Sequence, residues 1–252
     1  FTIRVRDLEV PVISGCPSNI TLNTIPGTCN ATATWTPPTA TDNCQLASIT
    51  TSTPSGSSFP AGVNTVTYVA TDTSGNFALC SFNVTVIDVQ SPVINNCPSN
   101  ISTTTDPGVC GALVSWTPPT ATDNCGINSF FTTHSPGTSF PVGTTTVTYT
   151  AADNAGNTQT CSFTVTVADN QNPTITGCPG NQTVSTGVST CAAIVSWTAP
   201  TASDNCVLSS LVGSHTSGSS FPLGTTTVTY TATDNSGNTS TCSFTLTVED
   251  TR

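Results

Sequence analysis

Aspartates fall at fixed places in this chain. Asp42, Asp123 and Asp204 form one set, Asp72, Asp153 and Asp234 a second, and Asp7, Asp88, Asp169 and Asp250 a third, so ten of the thirteen acidic residues recur at an 81-residue interval. Loop carboxylates, amides and carbonyls are the oxygen donors that calcium takes. Asp42-Asn43 and Asp72 with Asn76 are placed to converge at one end of a folded repeat, with Asp88 at the junction to the next. The candidate calcium ligands are therefore Asp42, Asp72 and Asp88, Asp123, Asp153 and Asp169, and Asp204, Asp234 and Asp250. The competing role is local, because Asp and Asn side chains hydrogen-bond their own backbone and build turns.

Twelve cysteines carry the other chemistry: Cys16, Cys29, Cys44 and Cys80, then Cys97, Cys110, Cys125 and Cys161, then Cys178, Cys191, Cys206 and Cys242. An even number at constant spacing reads as a disulfide framework formed in an oxidising compartment. The C-x2-C pairs of zinc sites are missing. His134 and His215 occupy equivalent positions, where the first repeat has Thr53. One imidazole per repeat, with no neighbouring carboxylate and no free thiol expected, assembles no nucleophile and base. No catalytic residue is assigned, and enzyme activity is not expected.

Composition narrows the partners. Three basic residues, Arg4, Arg6 and Arg252, stand against thirteen acids. A phosphate-binding surface cannot be built from them, so nucleic acid is excluded. Ser and Thr make up 84 of 252 residues while charged residues are only 6%; hydration must come from hydroxyls, amides or attached sugar. Sequons stand at Asn19, Asn30, Asn83, Asn100, Asn181 and Asn238, and Ser/Thr rows offer O-linked positions. No apolar run has the length of a membrane span.

What must position these groups is an array. Trp35, Trp116 and Trp197 each open a decapeptide that ends in Cys44, Cys125 and Cys206, and every other recurring residue obeys the same 81-residue shift. Full repeats cover 10–90, 91–171 and 172–252, and residues 1–9 align with the last strand of a repeat. Alternating Phe1, Ile3 and Val5 suit such a strand, from a preceding repeat or a neighbouring subunit. Within the first repeat, strands are expected at about Ile20 to Thr24, Cys29 to Trp35, Leu46 to Thr51, Thr65 to Thr71 and Cys80 to Val86. Pro37-Pro38 should end the Trp strand and open a Thr39 to Asn43 loop. Asp72 to Asn76 should turn the last two strands into a hairpin. About seven short strands per repeat, with Gly/Pro punctuation and no helical period, give an all-β tandem array of immunoglobulin-like antiparallel sandwiches. The short, proline-containing connections should hold them end to end as a stiff rod.

Four cysteines allow three pairings in each repeat. The expected one ties the entry segment to the loop after the Trp strand: Cys16–Cys44 with Cys29–Cys80, then Cys97–Cys125 with Cys110–Cys161, then Cys178–Cys206 with Cys191–Cys242.

The string Cys97-Pro98, Gly108-x-Cys110, Trp116-x-x-Pro119-x-Ala121-x-Asp123-Asn124-Cys125, Phe140-Pro141-x-Gly143, Val147-x-Tyr149, Asp153-x-x-Gly156-Asn157 and Cys161-x-Phe163-x-Val165-x-Val167 resembles the hyalin repeat, or HYR domain. The resemblance covers all three repeats and implies an immunoglobulin-like fold of extracellular proteins, associated with adhesion and matrix formation. It supplies no catalytic residues. The expected role is structural, in an extracellular or cell-surface fibre whose partners are copies of itself, with covalent glycans, calcium as an optional ion and no required cofactor. A surface adhesin recognising glycan or protein is the alternative.

Overall fold

The computed structural model describes residues 1–186 and 190–251, with no helix among them. Each repeat supplies eight strands. The first has β1 (Val12–Ser14), β2 (Ile20–Asn23), β3 (Asn30–Thr32), β4 (Thr39–Thr41), β5 (Leu46–Thr51), β6 (Ser58–Pro60), β7 (Gly62–Asp72) and β8 (Phe77–Ile87). The second has β9 (Val93–Asn95), β10 (Ile101–Thr104), β11 (Gly111–Val114), β12 (Thr120–Thr122), β13 (Ile127–Thr132), β14 (Thr138–Pro141), β15 (Gly143–Asp153) and β16 (Thr158–Ala168). The third has β17 (Thr174–Thr176), β18 (Gln182–Ser185), β19 (Ala192–Val195), β20 (Thr201–Ser203), β21 (Leu208–Gly213), β22 (Ser219–Pro222), β23 (Gly224–Asp234) and β24 (Thr239–Glu249). By contact the chain divides into two compact units, one of Phe1–Cys97, Pro119–Thr133 and Thr148–Cys161, the other of Pro98–Pro118, His134–Val147 and Ser162–Arg252.

In the first unit, β7 and β8 form an antiparallel hairpin, from Gly62 opposite Val86 to Thr71 opposite Phe77. Strict alternation makes it: Val66, Tyr68 and Ala70, with Phe82, Val84 and Val86, are buried, while Thr67 and Ser81 meet on the outer face through hydroxyls 3.0 Å apart. β2 runs parallel along β8, and β5 pairs antiparallel with β7, giving the order β2-β8-β7-β5. Against this sheet lie the two-stranded pairs β1–β4 and β3–β6. The Trp35 indole packs between them, its ring 5.1 Å from Phe82 and its Nε1–H donating to the Tyr68 hydroxyl at 2.8 Å. In the second unit the third repeat repeats this arrangement as β18-β24-β23-β21 with β17–β20 and β19–β22. Its Trp197 donates to the Tyr230 hydroxyl at 2.8 Å.

Three expectations differ from the structure. Residues 1–9 form no strand, and Phe1, Ile3 and Val5 are exposed. Their equivalent, β8, is held by β2 and β7 of its own repeat, and alternation without a ladder partner leaves the backbone groups to water. Thr39–Thr41, read as loop, pairs with β1 despite the prolines before it.

The disulfides also change. The structure holds Cys16–Cys80, Cys97–Cys161 and Cys178–Cys242 inside repeats and Cys29–Cys125 and Cys110–Cys206 across them, with Cys44 and Cys191 free. The expected Cys16–Cys44, Cys97–Cys125 and Cys178–Cys206 fail on register. β1 does meet β4, but Val12 faces Thr41 and Ser14 faces Thr39, so Cys16 runs on toward Pro37 and Cys44 runs the other way. At about 3.3 Å per residue they end roughly 20 Å apart, well beyond the ~7 Å between Cα atoms that a bridge spans. Repeats two and three keep the same register at Val93 opposite Thr122 and Thr174 opposite Ser203. The expected Cys29–Cys80, Cys110–Cys161 and Cys191–Cys242 also fail. The Cys29 carbonyl accepts from Ala61 N–H, beside Gly62 and its partner Val86, whereas Cys80 pairs with Tyr68 much further along the hairpin.

Candidate functional site at the repeat junctions

The end of each hairpin strand enters the loops of the following repeat. In the first unit Asp88 follows β8 and is only 5% exposed. Its Oδ1 accepts from the Thr24 hydroxyl at 3.1 Å, the Gln90 N–H at 3.2 Å and the Asn124 amide at 3.2 Å. The same Asn124 amide donates to the Thr28 carbonyl at 2.8 Å, and Cys125 beside it carries the bridge to Cys29. From the β15–β16 turn, Asn157 Nδ2 donates to the carbonyls of Asp88 at 3.2 Å and Gln90 at 3.3 Å. One covalent bond and two asparagine clamps therefore join consecutive repeats.

The clamps are themselves held by Asx turns. Asp153 Oδ1 accepts the N–H groups of Ala155 and Asn157 at 2.9 and 2.8 Å, and Oδ2 accepts Asn157 Nδ2 at 2.8 Å. Burial pushes this carboxyl up, but the donors at Asn157, Gly156 and Ala155 outweigh it and hold Asp153 below the usual carboxylate range; Asp72 and Asp234 behave alike. A depressed native pKa means that the stabilisation is present at neutral pH and is lost only as pH falls below the ordinary value through the folded one. Gly156 takes a φ of 94° in this turn, a conformation that a side chain would strain.

The second unit repeats the geometry. Asp169, 8% exposed, accepts through Oδ1 from Thr105 at 3.2 Å, Gln171 N–H at 3.1 Å and Asn205 at 3.4 Å. Asn205 also donates to the Val109 carbonyl at 3.2 Å, Asn238 to the Asp169 carbonyl at 3.1 Å, and Cys206 is bridged to Cys110.

Each junction leaves oxygens without donors. Asp88 Oδ2, Asp123 Oδ1 and Asn124 Oδ1 in the first unit, and Asp169 Oδ2, Asp204 Oδ1 and Asn205 Oδ1 in the second, are buried with no hydrogen-bond partner. Asp88, Asp123 and Asp153 each offer a carboxylate oxygen within 4.8 Å of the others. At that spacing two unit charges repel by about 3 kcal/mol at an effective dielectric constant of about 20. Asp169 and Asp204 group in the same way with Cys206, whose sulfur is spent in the disulfide.

The sequence grouped Asp42, Asp72 and Asp88 by repeat, whereas the structure groups each junction aspartate with the repeat that follows. Asp7 thus joins Asp42 and Asp72, and Asp88 joins Asp123 and Asp153. Asp234 holds its Asx turn, accepting Asn238 at 2.7 Å, and Asp250 is exposed. Asp7 belongs to the recurring aspartates but not to the candidate ligands of the sequence, and Asn124, Asn205, Gln90 and Gln171 carry no junction role there, although Asn43, Asn124 and Asn205 share the 81-residue period. Free Cys44 lies beside Asp7, which by hydrogen bond and then by charge pushes the thiol up. His134 and His215 stack near Phe140 and Phe221, at 5.4 and 5.6 Å.

The HYR domain family matches residues 6–86, 87–167 and 168–248. The chain belongs to the HYR family. It is similar to a hyalin of Strongylocentrotus purpuratus, 41% identical over 98% of this chain and 22% of that protein, and to a hyalin of Lytechinus variegatus, 39% identical over 88% and 43%. This HYR chain therefore spans less than half the length of either hyalin. It is also similar to a sushi, von Willebrand factor type A, EGF and pentraxin domain-containing protein of Rattus norvegicus, 38% identical over 64% of the chain and 5% of that protein. Among solved structures, Sidekick-1 immunoglobulin domains 1–5 align at 14% identity over 95% of this chain and 59% of that one with a TM-score of 0.36. Mouse cadherin-23 EC22-24 aligns at 15% identity over 96% and 99% with a TM-score of 0.33. The HYR repeats here are disulfide-bonded all-β sandwiches, and no helix of the described residues is long and apolar enough to cross a membrane.

The sequons sort by what their amides do. Asn19, Asn100 and Asn181 are exposed and turn their Oδ1 onto the N–H groups of Asn83, Thr164 and Thr245 at 2.8 to 2.9 Å. Asn30 and Asn83 likewise accept through Oδ1, from Thr28 at 3.3 Å and Thr65 at 3.0 Å. Asn238 instead commits Nδ2 to Asp234 and to the Asp169 carbonyl. An N-linked sugar there would replace one of the two Nδ2 hydrogens, so that at most one of the two contacts could persist. Glycopeptide mapping of native material is expected to find Asn238 unmodified even where Asn19, Asn100 and Asn181 carry sugar.

Proposed function

We propose that this chain is a structural stretch of an extracellular fibre or matrix, with consecutive repeats locked to one another and the outer Thr and Ser rows carrying glycans. The observation that carries this reading is the cross-repeat bridge, made twice by equivalent cysteines, Cys29–Cys125 and Cys110–Cys206. A bridge inside a sandwich resists unfolding of that sandwich, whereas one between sandwiches resists their separation, which is what a tension-bearing element requires. The free cysteines extend the pattern. Cys44 stands where Cys125 and Cys206 stand, and Cys191 where Cys29 and Cys110 stand. A neighbouring repeat, in the same chain or in another copy, would complete each bridge.

Electron microscopy of native material together with intact mass tests the reading. Long filaments, with mass above 25.6 kDa per 252 residues, are expected. Discrete short rods at bare polypeptide mass would favour an adhesin stalk and move attention to ligand-binding loops.

A further inference from the structure

We propose that each of the two bridged junctions binds one calcium ion, held by Asp88, Asp123, Asp153 and Asn124 in the first unit and by Asp169, Asp204 and Asn205 in the second. The inference stands independently of what the array builds.

Asp88 shows why an ion is required. Three donors crowd onto its Oδ1, yet its Oδ2 has none, although the residue is 95% buried from solvent by its 5% exposure. A bare carboxylate oxygen in such a place is costly unless a cation or proton meets it. Asp123 Oδ1 and Asn124 Oδ1, on the adjoining loop, are bare too. The other oxygens of these side chains are fixed by backbone and side-chain donors: Asp123 Oδ2 accepts Cys125 N–H at 2.8 Å, and Asp204 Oδ2 accepts Cys206 N–H at 2.8 Å. The free oxygens are therefore oriented by bonds on their opposite sides. The same atoms are bare in both units, at Asp169, Asp204 and Asn205.

The donor set selects the ion. All candidate ligands are oxygens, since the Cys206 sulfur is in a disulfide. Mixed carboxylate and amide oxygens from loops suit calcium, which takes 6–8 oxygens in flexible geometry, more than magnesium, which demands a near-ideal octahedron and keeps its water. Among the described residues no basic side chain belongs to either loop set: the sequence has no lysine, and Arg4 and Arg6 lie outside both. The third grouping, Asp7 with Asp42 and Asp72, also leaves Asp7 Oδ2 and Asp42 Oδ1 bare, but it lacks the cross-repeat bridge and has a less buried junction aspartate; it is not assigned an ion.

The test uses the full, oxidised chain stripped with chelator and titrated calorimetrically with CaCl2, with MgCl2 as comparison. Two calcium ions per chain are expected. Asp88→Asn and Asp123→Asn should each leave one site intact and weaken the other at least 10-fold. Melting supplies an independent readout. Calcium at about 100 times Kd should raise the transition on the order of 5–10 °C. In EDTA, Asp88→Asn should melt at or above the wild-type chain because a repulsive charge has gone, and in calcium it should melt below it. A purely structural role would lower both melts equally, and that result overturns the proposal. So would no calcium uptake at millimolar concentration by a chain with normal circular dichroism, unchanged stoichiometry in both variants, or tighter binding of magnesium. If acidification from pH 7 to 5 alone raises the melt and calcium adds nothing, a shared proton fills the site and the ion does not.

Discussion

Trp197→Ala is expected to cost its sandwich about 3–5 kcal/mol through the cavity left by the ring. A further 1–3 kcal/mol or so follows from the unpaired buried hydroxyl. The indole is 9% exposed, its centroid lies 5.4 Å from Phe244 and 5.8 Å from Phe221, and its Nε1–H donates to the Tyr230 hydroxyl at 2.8 Å. Against the 5–15 kcal/mol that holds a typical domain, the loss should unfold the third sandwich at ordinary temperature while the first remains folded. Trp35 and Trp116 stay as fluorescent reporters, so a urea titration should keep their transitions. Trp197→Phe, which retains most of the ring volume but not the donor, should lose only about 1–2 kcal/mol. Equal losses in the two variants would mean that the hydrogen bond, and not packing, anchors the core.

The second large effect belongs to the junction. Replacing Cys29 and Cys125 together by serine opens a bridge that spans 96 residues of sequence. Loop-closure entropy assigns such a link about 4–5 kcal/mol. Cys16–Cys80 closes 64 residues and is worth nearly as much by the same reasoning, but the two losses should be felt in different places. Cys80 is 5% exposed within the core, so its removal weakens the sandwich itself. Cys29 and Cys125 lie at the end of the sandwich, where Gly27 N–H donates to Gln90 at 2.9 Å and Asn124 to Thr28 at 2.8 Å. Amide hydrogen exchange should therefore accelerate at 24–30 and 120–126 in the Cys29→Ser, Cys125→Ser variant, with β7 and β8 still protected. Uniform acceleration through the hairpin would place the bridge's contribution inside the fold instead.

Much of the sandwich was legible from periodicity. Val66, Tyr68 and Ala70 recur at every second residue, the period of a strand and not of a helix, and β5 has the bounds expected from sequence, Leu46–Thr51. Ala31, Ala33 and Trp35 obey the same alternation along the strand expected at Cys29 to Trp35, and the two alanines are buried with Trp35 packed against them. The pairing of cysteines was not legible, for a reason specific to arrays. Cys29 stands in the same relation to Cys44 as Cys110 does to Cys125, so a repeating sequence cannot distinguish a neighbour within the repeat from the equivalent residue of the next. Reading each repeat as closed excluded Cys29–Cys125 before geometry could be considered. The same assumption placed Asp88 with Asp42 and Asp72, although the short connection after β8 carries it onto the loops of the following sandwich. Thr39–Thr41 was hidden by Pro37-Pro38, which end one strand without preventing another from starting immediately after them.

Disulfide mapping of native, thiol-blocked material tests the interlocked junction most directly. Trypsin is of little use on a chain with Arg4, Arg6 and Arg252 as its only basic residues, but cleavage before aspartate separates the middle-repeat cysteines into the fragments 88–105, 106–122, 123–152 and 153–168. The structure predicts that 106–122 is recovered linked to 204–233, through Cys110–Cys206, and 88–105 linked to 153–168, through Cys97–Cys161. Recovery of 106–122 linked to 153–168, with 88–105 linked to 123–152, would show each repeat closed on itself and would contradict the locked array.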